Sequence, residues 1–262
     1  MRWLQYMDKG VPRYGILTDA GITPVEGSPF DQYTVGNQSL PLSSVRLTLP
    51  FVPRTFYAVG QNYAAHAKNY PGAKAGTPAQ ALPAKPDVAY RAHSGLIAHD
   101  EPVVIPRDST SLHYEGELVV VIGKRGKRIS RESAFDHVFG YTIGNDVSER
   151  GWQRIDRTPW RAKNADTFSP MGPWIETEVN LSRLQTMVRV NGAECTRFRT
   201  NDMLFGVDAF ISAVSQYVTL QPGDMFWMGT EGTSPDLKPE DVVEVEIAGI
   251  GVLRNRFVLE DA

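Results

Sequence analysis

The sequence contains a single cysteine, Cys195, in 262 residues. No intrachain disulfide is therefore available, and secretion is not supported. The first eight residues lack the apolar stretch of a signal peptide, and no segment approaches the roughly 20 apolar residues that a membrane span requires. These absences predict a cytoplasmic protein with no membrane partner.

Runs of positive charge are absent as well. The 27 lysine and arginine residues are scattered along the chain, 30 acidic residues outnumber them, and the formal net charge is −3. A chain with this balance offers no basic surface for nucleic acid, which is therefore not an expected partner. What the chain does contain is a 42% share of hydrophobic residues, which predicts a substantial folded core.

Two glutamates stand one residue apart at the start of an apolar run. Glu115 and Glu117 are followed by residues 118–122, which are five branched aliphatic residues. Such a run predicts a β-strand, in which residues i and i+2 point to the same face about 7 Å apart. Both carboxylates are therefore expected to project together.

A third carboxylate has a similar setting. Residues 139–145 form a second short apolar stretch that leads to Asp146, and Ser148 is the expected N-cap of a following helix. Buried carboxylates held side by side repel one another unless a cation lies between them or one takes up a proton. With no histidine or cysteine in the pattern, the three acids favour Mg²⁺, Mn²⁺ or Ca²⁺ over zinc.

A plain alternative exists for the glutamate pair, in which one side chain is solvated and the other is paired with an arginine, since Glu-x-Glu is common. The metal site would be refuted by carboxylate oxygens that point apart. It would equally be refuted by three acids that each have their own guanidinium partner, because no charge would then be left for a divalent ion to neutralise.

The distribution of strand-like segments predicts an α+β protein in which β-structure dominates. Residues 1–50 hold short strand-like pieces separated by glycine and proline, and they form a predicted small β-rich N-terminal part. Residues 51–262 form the predicted main domain. Between residues 71 and 106 the chain is rich in proline, alanine and glycine, and we interpret this segment as a lid.

Several blocks of sequence occur in an order and spacing that resemble the fumarylacetoacetate hydrolase family. The blocks are Tyr-Glu-Gly-Glu-Leu at 114–118, the segments 144–153 and 163–173, Pro-Gly-Asp at 222–224 with Gly-Thr at 229–230, and the segment 237–246 before Gly-Ile-Gly at 249–251. The resemblance implies a twisted mixed β-roll catalytic domain after the small N-terminal part, and assembly as a homodimer. It also implies that the substrate is a short oxo acid.

The resemblance further assigns roles to individual residues. By block matching, the metal ligands are Glu115, Glu117 and Asp146, the lysine that contacts metal-bound substrate is Lys163, and the polar groups that face the substrate are Arg150, Gln153 and Thr230. The metal would stabilise the enolate that forms when the adjacent carbon–carbon bond breaks, and the lysine would add a second positive charge.

One position departs from the pattern of hydrolytic members. They typically use a His-x-x-Glu pair, in which the carboxylate orients the imidazole that activates water. Here the matching residues are His66 and Asn69, and an amide cannot stabilise an imidazolium by charge. Either an acid on the lid assists His66, with Asp87, Asp100 and Glu101 as candidates, or the enzyme does not activate water at all.

The leading hypothesis is a divalent-metal-dependent hydrolase, with His66 and Lys163 as catalytic residues. It would cleave a carbon–carbon bond in a small oxo or dioxo acid of the acylpyruvate or fumarylacetoacetate type. The alternative is a lyase or isomerase with the same enolate chemistry, such as an oxaloacetate-type decarboxylase or a hydroxymuconate-type isomerase. A non-catalytic oxo-acid-binding protein is the third hypothesis.

Overall fold

The computed structural model describes residues 1–68 and 81–261, and strands dominate it. The strands in chain order are β1 (Arg2–Asp8), β2 (Val11–Thr18), β3 (Gly21–Gly27), β4 (Tyr33–Val35), β5 (Phe56–Val59), β6 (Val88–Tyr90), β7 (Leu96–Ile97), β8 (Val103–Ile105), β9 (Leu112–His113), β10 (Gly116–Ile122), β11 (Val138–Asn145), β12 (Ser148–Glu149), β13 (Ser169–Glu176), β14 (Gln185–Val190), β15 (Ala193–Arg199), β16 (Met225–Trp227), β17 (Val242–Ile247) and β18 (Gly251–Leu259). The α-helices are α1 (Ala64–Lys68), α2 (Arg150–Ile155), α3 (Trp160–Asn164) and α4 (Val207–Ser215). None of the described helices is long and apolar enough to cross a membrane. The predicted β-dominant α+β class is confirmed.

Most strands of the described residues join one large sheet of eleven strands. Its order is β4-β3-β2-β1-β13-β11-β10-β16-β5-β6, and β7 pairs with β13 outside this path. The N-terminal strands extend the sheet because β1 pairs antiparallel with β13, with Arg2 opposite Glu176. The expected small N-terminal β part is confirmed, whereas the division of the chain at residue 50 stays a prediction.

The main core lies between the large sheet and a second sheet. In the described chain the second sheet has five strands in the order β15-β14-β17-β18-β8. Leu118 and Val120 of β10 are fully buried in this core, and burial of such a side chain contributes about 1.5–3 kcal/mol. Gly116 lies in the same row of β10, where a Cβ atom would come within 2.8 Å of Val188 and Val245. The sheets therefore approach too closely for a side chain at this point.

Alternation along β10 sends Glu117 to the opposite face. Val119 and Val121 lie in the same row as Glu117, and both pack in a second core cluster on that other face of the large sheet. The order Glu-Gly-Glu thus has a packing reason. The glycine admits the second sheet, and the glutamates on either side of it point away from that sheet.

The register between β10 and β11 brings the third carboxylate to the first two. The strands run antiparallel, with Glu117 opposite Gly144. Asp146 directly follows β11, and its backbone N–H donates to the carbonyl oxygen of Glu115 at 2.9 Å. Both strands predicted from the apolar stretches are confirmed, and the ends that carry the acids meet at one place.

The helix after Asp146 begins differently from the expectation. Ser148 lies in β12, and its hydroxyl donates to the carbonyl oxygen of Asp146 at 2.8 Å, so the predicted N-cap is wrong. The cap of α2 is Glu149, whose carboxylate accepts a hydrogen bond from the backbone N–H of Trp152. A carboxylate is the more favourable group here because the helix dipole places partial positive charge at this end.

The predicted lid is described only in part. Residues 69–80, which include Asn69, lie outside the described residues. From residue 81 onward the segment contains the three short strands β6, β7 and β8 instead of a continuous loop, and β6 extends the large sheet beside β5. A lid function for this segment stays a prediction.

Candidate active site

Three buried carboxylates meet at the border of a cavity of about 360 Å³. Glu115, Glu117 and Asp146 each offer a ligand oxygen, and these oxygens lie within 4.8 Å of one another. Glu115 precedes β10, Glu117 lies in it, and Asp146 follows β11. The register of two adjacent strands therefore holds the predicted acidic trio together.

Cationic side chains surround two of the three acids. Lys163 Nζ donates to Glu115 Oε2 at 2.6 Å and to Asp146 Oδ2 at 2.7 Å. Arg150 Nη2 donates to Glu115 Oε1 at 2.5 Å, and Arg91 Nη2 donates to Asp146 Oδ2 at 2.9 Å. Burial raises the pKa of Glu115, but attraction to Lys163 and Arg150 outweighs it. The pKa of Glu115 therefore lies below its ordinary value, and the carboxylate is ionised.

Glu117 has a different environment. Its Oε2 accepts a hydrogen bond from the backbone N–H of Gly229 at 2.9 Å. Gly229 has a φ of +85°, a conformation that favours glycine, and an added Cβ there would lie 3.2 Å from the Cβ of Asn62. Burial, together with repulsion from Asp146 and Glu115, raises the pKa of Glu117 well above its ordinary value. Among the described residues Glu117 has no guanidinium partner. The arrangement that would refute the metal site, with one guanidinium for each acid, is therefore not observed.

The donor set fits a hard divalent cation. Asp146 Oδ1 is buried and has no hydrogen-bond partner among the described residues, which is unfavourable for a carboxylate oxygen unless a ligand supplies the missing interaction. Burial and repulsion from Asp146 and Glu115 raise the pKa of Glu117, although Lys163 lies near enough to oppose that rise. Carboxylate oxygens are the donors that Mg²⁺, Mn²⁺ and Ca²⁺ prefer. The buried trio is consistent with a divalent metal site.

The corner between α2 and α3 positions Lys163. Arg161 of α3 donates to both carboxylate oxygens of Asp156, at 2.8 and 3.1 Å, and its guanidinium lies 4.6 Å from the ring centre of Trp152. These contacts fix α3 against α2. The buried ammonium of Lys163 is then held between Glu115 and Asp146 by the geometry of the corner.

His66, the predicted base, lines the same cavity from α1. Its Nε2 lies 3.7 Å from Glu115 Oε1, and its Nδ1 lies 3.5 Å from the carbonyl oxygen of Gly232. Both neighbouring atoms are hydrogen-bond acceptors. The carboxylate that faces the imidazole is therefore one of the three acids of the trio.

Of the three candidate acids on the predicted lid, two form ion pairs with arginines and one lines the cavity. Asp100 pairs with Arg254 at 2.7 Å, and Glu101 pairs with Arg46 at 3.2 Å. Asp87 lines the cavity. Of the three acids considered for assisting His66, only Asp87 is therefore placed at the cavity.

The residues predicted to face the substrate fall on two neighbouring cavities. Gln153 and Thr230 line the main cavity. Arg150 lines a smaller cavity of about 260 Å³, which shares His66, Glu115 and Thr230 with the first. Arg150 Nη1 also donates to Gln153 Oε1 at 2.8 Å. Contact of these three residues with a substrate stays a prediction.

Two family models match separate parts of this chain. Residues 55–258 match the family model described as fumarylacetoacetate (FAA) hydrolase C-terminal, which is more than half of the chain. The chain belongs to the fumarylacetoacetate hydrolase family. Residues 1–50 match a second model, described as Rv2993c-like, N-terminal.

Relatives within the fumarylacetoacetate hydrolase family bear the names of several activities. A mitochondrial oxaloacetate tautomerase of Xenopus laevis is 36% identical over 231 residues, which cover 82% of this chain and 69% of the relative. A 4-hydroxyphenylacetate degradation bifunctional isomerase/decarboxylase of Salmonella dublin is 37% identical over 212 residues, which cover 79% of this chain and 48% of the relative. The structure of a 5-carboxymethyl-2-hydroxymuconate delta-isomerase from Mycobacterium smegmatis matches with a TM-score of 0.88 and 32% identity, covering 99% of this chain and 100% of the other. The expected fold is confirmed over the described residues, and the protein is an enzyme of this family.

Two residues of this family member were not predicted from the sequence. Arg91 directly follows β6 and reaches Asp146 from 55 positions away. His113 lies two residues before Glu115 and contacts Arg150. A polar residue at the end of a short strand was the signal that identified Asp146, and the same signal applies to Arg91.

The raised pKa of Glu117 predicts a pH-dependent stability of the metal-free enzyme. Because folding raises this pKa above 4.5, the folded state keeps a proton that the unfolded state releases. The free energy of unfolding therefore falls as the pH rises above 4.5 and through the folded pKa. In EDTA, we expect the melting temperature of the wild type to fall from about pH 5 to about pH 8 relative to that of Glu117→Gln, which cannot ionise. If the melting temperatures of the two proteins changed equally with pH across this range, the raised pKa of Glu117 would be contradicted.

Proposed function

We propose that this protein is a Mg²⁺- or Mn²⁺-dependent tautomerase or isomerase of small 2-oxo acids. The observation that carries the proposal is the convergence of three carboxylates, Lys163 and His66 on one cavity. This set suits the binding of a chelating oxo acid and the movement of one proton on it. No activated water is required, so the lyase or isomerase alternative takes precedence over hydrolysis.

Charge in the cavity favours removal of a proton next to the keto group. When bound, a divalent cation held by Glu115, Glu117 and Asp146 supplies positive charge to the carboxylate and keto oxygens of a 2-oxo acid. Lys163 supplies a second, fixed positive charge beside the same acids. Such a charge is worth more in a buried site than in water, because little solvent is present to screen it.

His66 is placed to move the proton. In keto–enol conversion the proton leaves C3, the electron pair of that C–H bond forms the C2–C3 double bond, and a proton is added to the oxygen on C2. With a proton on Nδ1 directed at Gly232, His66 can accept the C3 proton on Nε2. Glu115, 3.7 Å away, then stabilises the imidazolium. Glu115 would thereby supply the charge that Asn69 cannot.

Decarboxylation is the second candidate, supported by the name of the Salmonella dublin relative. When carbon dioxide leaves C3, the electron pair of the broken bond moves toward the same keto oxygen. Lys163 would stabilise the negative charge there in the same way. Hydrolysis additionally requires water activated by His66. The tautomerase, isomerase and decarboxylase names of the relatives support the first two reactions over hydrolysis.

Product analysis separates the three reactions. Protein loaded with Mg²⁺ is incubated with oxaloacetate in deuterated water, and separately with an acylpyruvate. We expect exchange of the C3 protons of oxaloacetate to be accelerated by about 10²-fold or more over buffer with Mg²⁺. EDTA should abolish the acceleration. Release of carbon dioxide would favour decarboxylation, and cleavage of the acylpyruvate to pyruvate and a free acid without accelerated exchange would overturn the proposal in favour of hydrolysis.

The proposal extends to substrate contacts, ion and assembly. We assign the substrate carboxylate to Thr230 and Gln153, which line the cavity.

The resident ion is proposed to be Mg²⁺ or Mn²⁺, with Ca²⁺ as the less suitable occupant because it prefers more ligands than this trio offers. A homodimer follows from family resemblance. Elemental analysis and light scattering of the purified protein test the last two points.

A further inference from the structure

A row of polar side chains leads from the protein surface to Glu115. Asp236 Oδ1 lies 3.1 Å from His113 Nε2, and His113 Nδ1 lies 3.3 Å from Arg150 Nε. Arg150 Nη2 in turn donates to Glu115 Oε1. The exposed fraction of the side chain falls from 63% at Asp236 to 15% at His113 and 1% at Arg150. No role assigned so far uses Asp236 or His113.

The partners of His113 determine which ring nitrogen carries the proton. A guanidinium Nε–H can only donate, so His113 Nδ1 must accept from Arg150 and carries no proton. An ionised carboxylate can only accept, so the proton on Nε2 is donated to Asp236. Arg150 and Asp236 together therefore select the neutral Nε2–H form of the ring. In the other neutral form, two N–H groups would face each other across the contact with Arg150.

Backbone hydrogen bonds hold the members of this row together. The strand pair β9·β12 places His113 opposite Ser148, two residues before Arg150. The backbone N–H of Leu237 donates to the carbonyl oxygen of Leu112 at 2.8 Å, which fixes the loop that carries Asp236 beside β9. The acid and the imidazole are thus brought together by the main chain, across 123 positions of sequence.

The guanidinium of Arg150 has a different partner on each nitrogen. Nε donates to His113, Nη1 donates to Gln153 and Nη2 donates to Glu115. Because the guanidinium is planar and rigid, rotation that weakens one of these bonds weakens the others. Loss of the acceptor at Nε would also leave a buried charged donor unpaired, which is strongly unfavourable.

We propose that Asp236 and His113 are positioning residues that fix Arg150 and, through it, the orientation of Glu115 for metal binding. Asp236 accepts the Nε2 proton of His113, and His113 anchors Arg150 by accepting from its Nε–H. The Nη2 group of Arg150 in turn restrains the carboxylate of Glu115. The effect on metal affinity rests on the proposed metal site. The protonation pattern of His113 does not, and it is open to measurement in the metal-free protein.

The test compares Asp236→Ala, which removes the acceptor, with Asp236→Asn, which keeps an acceptor oxygen for the Nε2–H. The matched control is Asp8→Ala, which removes an acid paired with Arg13 at 3.0 Å on the β1–β2 hairpin. Two quantities are measured for each protein. One is the imidazole nitrogen chemical shifts of His113 by NMR without metal, and the other is the dissociation constant of Mn²⁺ by calorimetry.

In the wild type, His113 is expected in the Nε2–H form. In Asp236→Ala, the Nε2 chemical shift of His113 should change because its N–H loses the carboxylate acceptor. The Mn²⁺ dissociation constant should rise by about 10-fold, as for other residues that orient a metal ligand through a hydrogen bond. Asp236→Asn should stay within about 3-fold of the wild type, and Asp8→Ala should match it. A wild-type His113 in the Nδ1–H or doubly protonated form, or an Asp236→Ala protein with unchanged Mn²⁺ affinity, would overturn the proposal. Failure of the wild type itself to bind Mn²⁺ would instead refute the metal site.

Discussion

Replacing Glu117 with alanine is expected to abolish retention of divalent metal and turnover together. Glu117 is the acid whose pKa is raised by burial and by its two neighbouring carboxylates, so a bound cation would offset that repulsion. Without this ligand the ion loses one of three protein carboxylates, and we expect turnover to fall by at least about 10³-fold. Metal content by elemental analysis and rates of proton exchange on oxaloacetate measure the two losses.

A matched control for this variant is Glu176→Ala. Glu176 is also a buried glutamate in the large sheet, but its partners are the N-terminal ammonium group, at 2.9 Å, and Arg2, at 3.3 Å. This variant should lose stability and yet keep its metal and its rate. A Glu117→Ala protein that stays folded and remains fully active without metal would refute the proposed role of the trio.

Replacing Lys163 with methionine is expected to lower turnover by about 10²- to 10³-fold while metal is retained, because a preorganised positive charge next to the reacting oxygen is lost. The metal-free variant should also be less stable than the metal-free wild type. Lys163 bridges Glu115 and Asp146, and without it these buried anions repel each other. Added metal should offset this loss of stability more strongly in the variant than in the wild type.

Steady-state kinetics, together with melting temperatures with and without Mg²⁺, measure the effects of Lys163→Met. The control is Arg189→Met, which removes a cation paired with Glu246 at 2.7 Å in the second sheet. It should affect stability more than turnover. Equal rates for Lys163→Met and the wild type would show that the ammonium group has no part in the reaction.

The acidic trio was predictable because it depends on short-range rules. Five successive aliphatic residues predict the strand β10, and side chains of a strand alternate between its two faces. This alternation places Glu117 on the same face as Val119 and Val121. The position of Asp146 follows from the end of the adjacent strand. These features depend on the period of a strand and on antiparallel pairing, both of which can be inferred from a sequence.

The cations and the supporting acids were harder to predict because they come from distant segments. Arg91 reaches Asp146 across 55 positions, and Asp236 reaches His113 across 123. Acids on the predicted lid were considered as partners of His66, but the structure places Glu115 there. A sequence pattern cannot show which of several charged side chains will turn toward a given site, since that depends on the packing of both sheets.

Glu115, Glu117 and Asp146 are proposed to bind one divalent ion together. The most direct measurement is the anomalous difference map of a crystal soaked in Mn²⁺, compared with a crystal of Glu117→Ala treated in the same way. We expect one strong peak within coordination distance of an oxygen from each of the three acids, and no peak at this place in the variant. A wild-type map with no peak there, or with a peak bound to other residues, would contradict it.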